Sequence, residues 1–196
     1  HNPKDEQSLP GNNVRSICID HMKNIWVGTN LGLALFDETS SRFRTFKPQE
    51  QNPNSPAGDN IHQIMEMDNH TLWIASDLGG ISILDLNRYQ HPHTEELSFR
   101  QITKENSGLS SNNTRKIIQD SFGNIWIGNF SSGIDFIAQS TADFYTLKNL
   151  QQPLSNTSGI YCDHQGNLWI GQDNLISQYK NGQIFHEWDF SKYLFN

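Results

Sequence analysis

Long apolar runs, basic blocks and paired cysteines are all missing from this sequence. No uninterrupted apolar stretch approaches the roughly 20 residues that a membrane-spanning helix needs, and no charged-then-apolar leader opens the chain. Neither a membrane segment nor a signal peptide is therefore expected in these 196 residues. Two cysteines, Cys18 and Cys162, are too few for a disulfide framework and lack metal-ligand spacing. Fourteen Lys and Arg stand against 21 Asp and Glu, a formal net charge of −7, with no cationic cluster. Nucleic acid is not an expected partner, because binding to a phosphate backbone depends on concentrated positive charge. The length suits one globular domain spanning 1–196. The chain opens on His1 rather than Met, which leads us to expect an excerpt of a longer protein.

What the sequence does contain is a repeat. Asn24-Ile25-Trp26-Val27-Gly28, Asn124-Ile125-Trp126-Ile127-Gly128 and Asn167-Leu168-Trp169-Ile170-Gly171 are one motif, and Thr71-Leu72-Trp73-Ile74-Ala75 is a weaker copy. Successive tryptophans lie 47, 53 and 43 residues apart. Thirteen residues before each stands an asparagine (Asn13, Asn60, Asn113, Asn156), and nine before each an isoleucine (Ile17, Ile64, Ile117, Ile160). Trp188 belongs to no copy. The repeats run over about 9–47, 56–103, 109–148 and 152–190.

Within each copy the apolar residues come in short bursts between turn formers, the pattern of strands rather than of amphipathic helices. Repeat one predicts strands over Val14–Asp20, Ile25–Thr29, Leu33–Asp37 and Phe43–Phe46. Repeat three predicts Thr114–Asp120, Ile125–Asn129, Ile134–Ala138 and Phe144–Leu147, and repeat four closes on Ile184–Phe190. No segment asks to be a helix. In Asp120-Ser121-Phe122-Gly123-Asn124 the aspartate can accept backbone N–H bonds while Gly123 supplies a positive φ. Repeats one and two put Lys23 and His70 at that glycine position, so their turns must strain or change type, and repeat two should be the least regular.

A lone four-stranded meander cannot bury both its faces, so the copies must stack around an axis. The expected fold is all-β: β-propeller blades, four four-stranded antiparallel meanders. Trp26, Trp73, Trp126 and Trp169 should form the structural core of the repeat, wedged where neighbouring blades meet.

The run Leu109–Gly128, and with it Leu9, Val14, Asp20, Asn24, Trp26, Gly28, Gly32, Leu33 and Phe36, resembles the two-component regulator propeller repeat. Repeat two departs from it by losing the turn glycine and the Asn of the Trp motif. Repeat four departs at Leu175-Ile176, where a glycine-hydrophobe pair is expected. The resemblance implies the periplasmic sensor region of a Bacteroidetes hybrid two-component protein, whose membrane helix, histidine kinase and DNA-binding parts lie outside these residues. It further implies that the four blades are an arc of a larger, about seven-bladed propeller, leaving two bare faces. The implied ligand is an oligosaccharide released from a glycan, and a homodimer is expected in the full-length protein.

Catalytic constellations are not apparent. No nucleophile elbow, His-Glu-x-x-His, phosphate-cradling loop or paired-cysteine signature occurs, and neither a cofactor nor a metal is expected. His91-Pro92-His93 reads as a solvated insertion loop, His21 and His164 as surface turn residues, and Asp20, Asp120 and Asp163 as turn caps. Candidate ligand-binding residues follow from propeller geometry: the loop before the first strand and the loop between the second and third open on one face. They are Arg15, His62 and Arg115, eleven residues before their tryptophans (Ser158 in repeat four), with Asn30, Asp77, Phe130 and Asp173 after the Trp motifs. Arginine forks suit carboxylate or sulfate, and an aromatic face suits a sugar ring, so an acidic glycan is conceivable. The competing reading makes each an ordinary exposed loop residue or a blade-to-blade hydrogen bond. A protein-interaction platform and a lyase-like propeller enzyme are the alternative functions. The insertions Lys47–Asn60 and Asn87–Phe99 are either functional loops or tethers.

Overall fold

A computed structural model describes residues 1–130, 132–139, 144–146, 157–180 and 183–191. Its strands form four antiparallel meanders, each with its strands in sequence order. Blade 1 holds β1 (Val14–Ile19), β2 (Ile25–Thr29), β3 (Gly32–Asp37) and β4 (Arg42–Phe46). Blade 2 holds β5 (Ile61–Glu66), β6 (Thr71–Ser76), β7 (Gly80–Asp85) and β8 (Arg100–Ile102). Blade 3 holds β9 (Thr114–Gln119), β10 (Ile125–Asn129), β11 (Ile134–Ile137) and β12 (Phe144–Thr146). Blade 4 holds β13 (Thr157–Cys162), β14 (Leu168–Gln172), β15 (Leu175–Lys180) and β16 (Gln183–Asp189).

The expected strands are found to within a residue or so. Leu147, the end of the expected outer strand of blade 3, lies outside the described residues, as do residue 152, where the fourth repeat was expected to begin, and Asn156. A short 3-10 turn, Leu86–Arg88, follows β7, its start capped by Asp85 accepting from the Asn87 N–H.

The chain divides into two compact units, His1–Ser107 with Asn112–Thr114, and Gly108–Ser111 with Arg115–Asn196. In the first, the middle strands are buried on both faces, as stacked sheets require: β2 and β3 carry Trp26, Leu33, Ala34 and Leu35, all inaccessible to solvent. Trp26 packs with Ile61 and Ile64 of the next blade and with Leu72 and Ile74, so it is the expected wedge between neighbours. The seat for that neighbour is a glycine. A Cβ on Gly28 would stand 2.6 Å from Ile61 Cγ2 and 3.3 Å from Ile64 Cδ1, closer than packed carbon atoms approach.

The two insertions also join this core. Leu97 and Phe99 are buried in it, Phe99 N–H donates to Asn54 O at 2.8 Å, and Arg44 Nη1 donates to the carbonyls of Pro92 and Glu95 at 2.7 and 2.6 Å. They are packed structure rather than tethers.

In the second unit Ile134, Leu168, Ile170 and Tyr179 form the core, with Trp126 packed against it, and Gly128 again seats Ile160 of the following blade. Trp169 departs from expectation. Half-buried like Trp126, its ring stacks on Trp188 of its own blade, centroids 5.5 Å apart and planes 15° from parallel, which gives the unassigned fifth tryptophan a place.

The first hairpins of blades 1, 3 and 4 are closed in a common way. In blade 1, Asp20 Oδ1 accepts from the N–H groups of Met22 and Asn24, while Oδ2 accepts from Asn24 Nδ2 and, at 2.9 Å, from Trp26 Nε1. Asp120 and Asp163 repeat these bonds, with Trp126 Nε1 at 3.0 Å and Trp169 Nε1 at 2.9 Å. One carboxylate thus caps a turn and satisfies an indole donor. Asp163 in consequence holds its proton far less readily than an ordinary carboxyl, its pKa pulled to about 2, first by the Trp169 N–H and then by the Asn167 side chain. Blade 2 keeps the turn without the aspartate: Met67 is buried there, and Trp73 Nε1 donates instead to Thr71 Oγ1 at 3.0 Å. Its backbone frame, with His70 N–H on Met67 O at 2.9 Å, matches that of Lys23 on Asp20. Lys23 and His70 adopt φ of 70° and 59°, where blades 3 and 4 use Gly123 and Gly166. These turns therefore strain rather than change type, at about 1–2 kcal/mol each.

Candidate functional site

In three blades the residue eleven before the tryptophan has a backbone peculiarity. In blades 1, 2 and 4 the pairing of the first two strands slips by one residue between Val14 and Ser16, Ile61 and Gln63, and Thr157 and Gly159. Arg15, His62 and Ser158 are the extra residues of these bulges, which free a side chain from the alternation of the strand and re-aim it.

In the first unit the bulges bring three of the expected residues together. Arg15 Nη1 donates to Asn60 Oδ1 at 2.7 Å, Asn60 Nδ2 donates to Asp77 Oδ2 at 2.8 Å, and His62 Nε2 lies 2.9 Å from that same Oδ2. Arg15 Nη1 is 2.9 Å from His62 Nε2 and 3.4 Å from Nδ1. A donor lying along the axis of one ring nitrogen would be much farther from the other, so the guanidinium lies against the ring, and Nε2–H donates to Asp77. Arg15 is exposed while His62 and Asp77 are half-buried. Asn60, His62 and Asp77 are thus tied to one another within blade 2, and the solvent-facing guanidinium of Arg15 joins them to blade 1 through its bond to Asn60.

The remaining expected residues are placed as follows. Asn30 N–H donates to Asn13 O at 3.2 Å, and its Oδ1 sits 2.6 Å from where a Cβ on Gly11 would be. In the second unit the Arg115 guanidinium lies over the exposed Phe130 ring, 4.5 Å from its centroid, a cation–π pair that presents charge and an aromatic face together. Ser158 donates to Gly171 O at 3.2 Å, and Asp173 occupies the β14–β15 turn at φ 32°. Burial pushes the Cys18 and Cys162 thiols above their usual range.

Reasoning from sequence missed Asn60 as a site residue, although its recurrence thirteen residues before the tryptophan was visible. It also missed Glu66 and His70, which lie within 4.8 Å of His21 by their ligand-type atoms. No periodic signal marks that cluster, because each of its members comes from a different repeat position.

Bulged, stacked four-stranded sheets with polar residues gathered at the bulges define these units as β-propeller blades. The model of the two component regulator propeller matches residues 8–31, 108–131 and 151–174. Histidine kinase P4 of Formosa agariphila is 31% identical over 87 residues, 43% of this chain and 6% of that protein. The extracellular domain of the hybrid two component system BT4673 from B. thetaiotaomicron matches with a TM-score of 0.77 at 22% identity, over 96% of this chain and 26% of that one. The corresponding domain of BT3049 from the same organism is 34% identical, with a TM-score of 0.50, over 92% of this chain and 23% of that one. The chain therefore spans about a quarter or less of each of these three proteins.

Proposed function

We propose that this chain is a non-catalytic, ligand-recognising segment of an extracytoplasmic sensor, periplasmic in location, in a hybrid two-component signalling protein. The observation that carries the reading is the repeat match in three blades, joined to 34% identity with an extracellular domain of a hybrid two component system. The kinase that would receive the signal belongs to other parts of the parent protein. Further blades flank these four in this reading. Its support is that Ile17 on β1 is 63% exposed, whereas its counterpart Ile64 on β5 is 5% exposed beneath its neighbour.

The ligand class is an acidic oligosaccharide. Arg15 on its bulge is exposed, and the half-buried Arg115 lies over the exposed Phe130, whose ring suits sugar C–H contacts. Calorimetry of the chain with uronate-containing and sulfated oligosaccharides tests this. Saturable binding without product after long incubation is expected, and Arg15→Ala or Arg115→Ala should weaken it by about tenfold or more, the worth of a charge-assisted hydrogen bond. Turnover of the sugar, or affinity unchanged in both variants, would overturn the assignment.

A further inference from the structure

Away from the bulges, the turns that close the first hairpins of blades 1 and 2 meet at their ends. His21 Nδ1 lies 2.5 Å and His70 Nδ1 3.0 Å from the same atom, Glu66 Oε1, and the two imidazoles stack with centroids 3.9 Å apart. The other carboxylate oxygen, Oε2, accepts the backbone N–H of His21 at 2.8 Å. Each member is fixed from behind. His21 sits in the turn capped by Asp20, Glu66 is tied through Oε2, and His70 is pinned by its N–H on Met67 O and its carbonyl on Leu86 N–H at 3.1 Å. Glu66 is mostly buried, whereas both histidines reach solvent.

We propose that His21, Glu66 and His70 form a binding site for a borderline divalent cation of the zinc class. Two imidazole nitrogens and one carboxylate oxygen are a donor set that such ions favour, and an open fourth position faces water. Bond lengths of about 2.0–2.2 Å in a tetrahedron place ligand atoms about 3.3 Å apart. The three atoms already lie within 4.8 Å of one another, so small side-chain rotations seat the ion. The Oε2 bond to His21 N–H supplies the outer support that metal-binding carboxylates require. Held there, the ion ties the β1–β2 turn to the β5–β6 turn. It also accounts for a histidine in a left-handed position that blades 3 and 4 give to glycine.

The test is calorimetric and thermal titration of the 196-residue chain with Zn²⁺ and with Mg²⁺. One Zn²⁺ site is expected, with a melting temperature that rises on adding zinc and falls back with chelator, and no response to Mg²⁺. His70→Gly suits the backbone of its turn, so it should melt no lower than the parent without metal while losing at least tenfold in Zn²⁺ affinity, the least that removal of a metal's support costs. His21→Ala should lose as much. His164→Ala, at the same turn position in blade 4, and the double variant His91→Ala/His93→Ala should bind zinc as the parent does. Absence of zinc binding, affinity retained in His70→Gly, or affinity lost only in the His91/His93 variant would each overturn the proposal.

Discussion

Blade 1 closes its first hairpin on Asp20, whereas blade 2 closes the equivalent hairpin around Met67. In blade 1 a single carboxylate caps the turn, holds Asn24 and satisfies the buried Trp26 donor. In blade 2 those duties are divided: backbone bonds and Asn69 Oδ1, which accepts the Thr71 N–H at 3.2 Å, hold the turn, the same Oδ1 accepts from the Thr71 hydroxyl, and that hydroxyl accepts from Trp73. Both tryptophans are buried and both hairpins form. The repeat therefore conserves a demand, that the indole N–H find an acceptor, rather than a residue. This also explains why the second copy is faint in sequence yet complete as a sheet: burial of Trp73 requires an acceptor of any kind.

The largest effect should come from removing the wedge. Trp26→Ala is expected to cost about 3–5 kcal/mol in urea unfolding, and Trp169→Ala markedly less, because one of its faces rests only on Trp188 at the surface. Equal losses would show that burial does not set the difference between blades. Next comes transplantation of the latch. Met67→Asp alone should destabilise by about 2 kcal/mol by placing a charge in the core, and Thr71→Asn added to it should recover about 1 kcal/mol by supplying the amide that Asn24 supplies in blade 1. No coupling in that cycle would mean that the latch is not a transferable unit.

The smallest effect is the acid response of blade 4. Asp163 binds its proton more weakly folded than unfolded, so its contribution to stability is complete above the unfolded carboxyl range, near pH 4. That contribution is lost as pH falls through about 2. Tryptophan fluorescence followed across that window should change in the parent and flatten in Asp163→Asn; an unchanged profile would detach the carboxylate from the indole.

Much of this molecule was legible along the chain. Strand positions, the turn aspartates and the wedge role of Trp26 follow from local periodicity and turn chemistry, which act over a few residues and repeat four times. Trp169 was misjudged because the indole it stacks on lies 19 residues away, outside the motif. The expected binding residues were partly found, since Arg15, His62 and Asp77 do come together, but engaged with one another and with Asn60 rather than as a free rim.

The sequence by itself determined the fold class, the blade count within this chain and the capping of the turns, because spacing and glycine, asparagine and aspartate chemistry are local properties. Only the tertiary structure decided which side chains of different blades share one spot. Arg15 meets Asn60 across 45 residues, and His21 meets Glu66 across the same distance along the chain. No rule of local spacing joins such pairs; the stacking of one sheet on the next does.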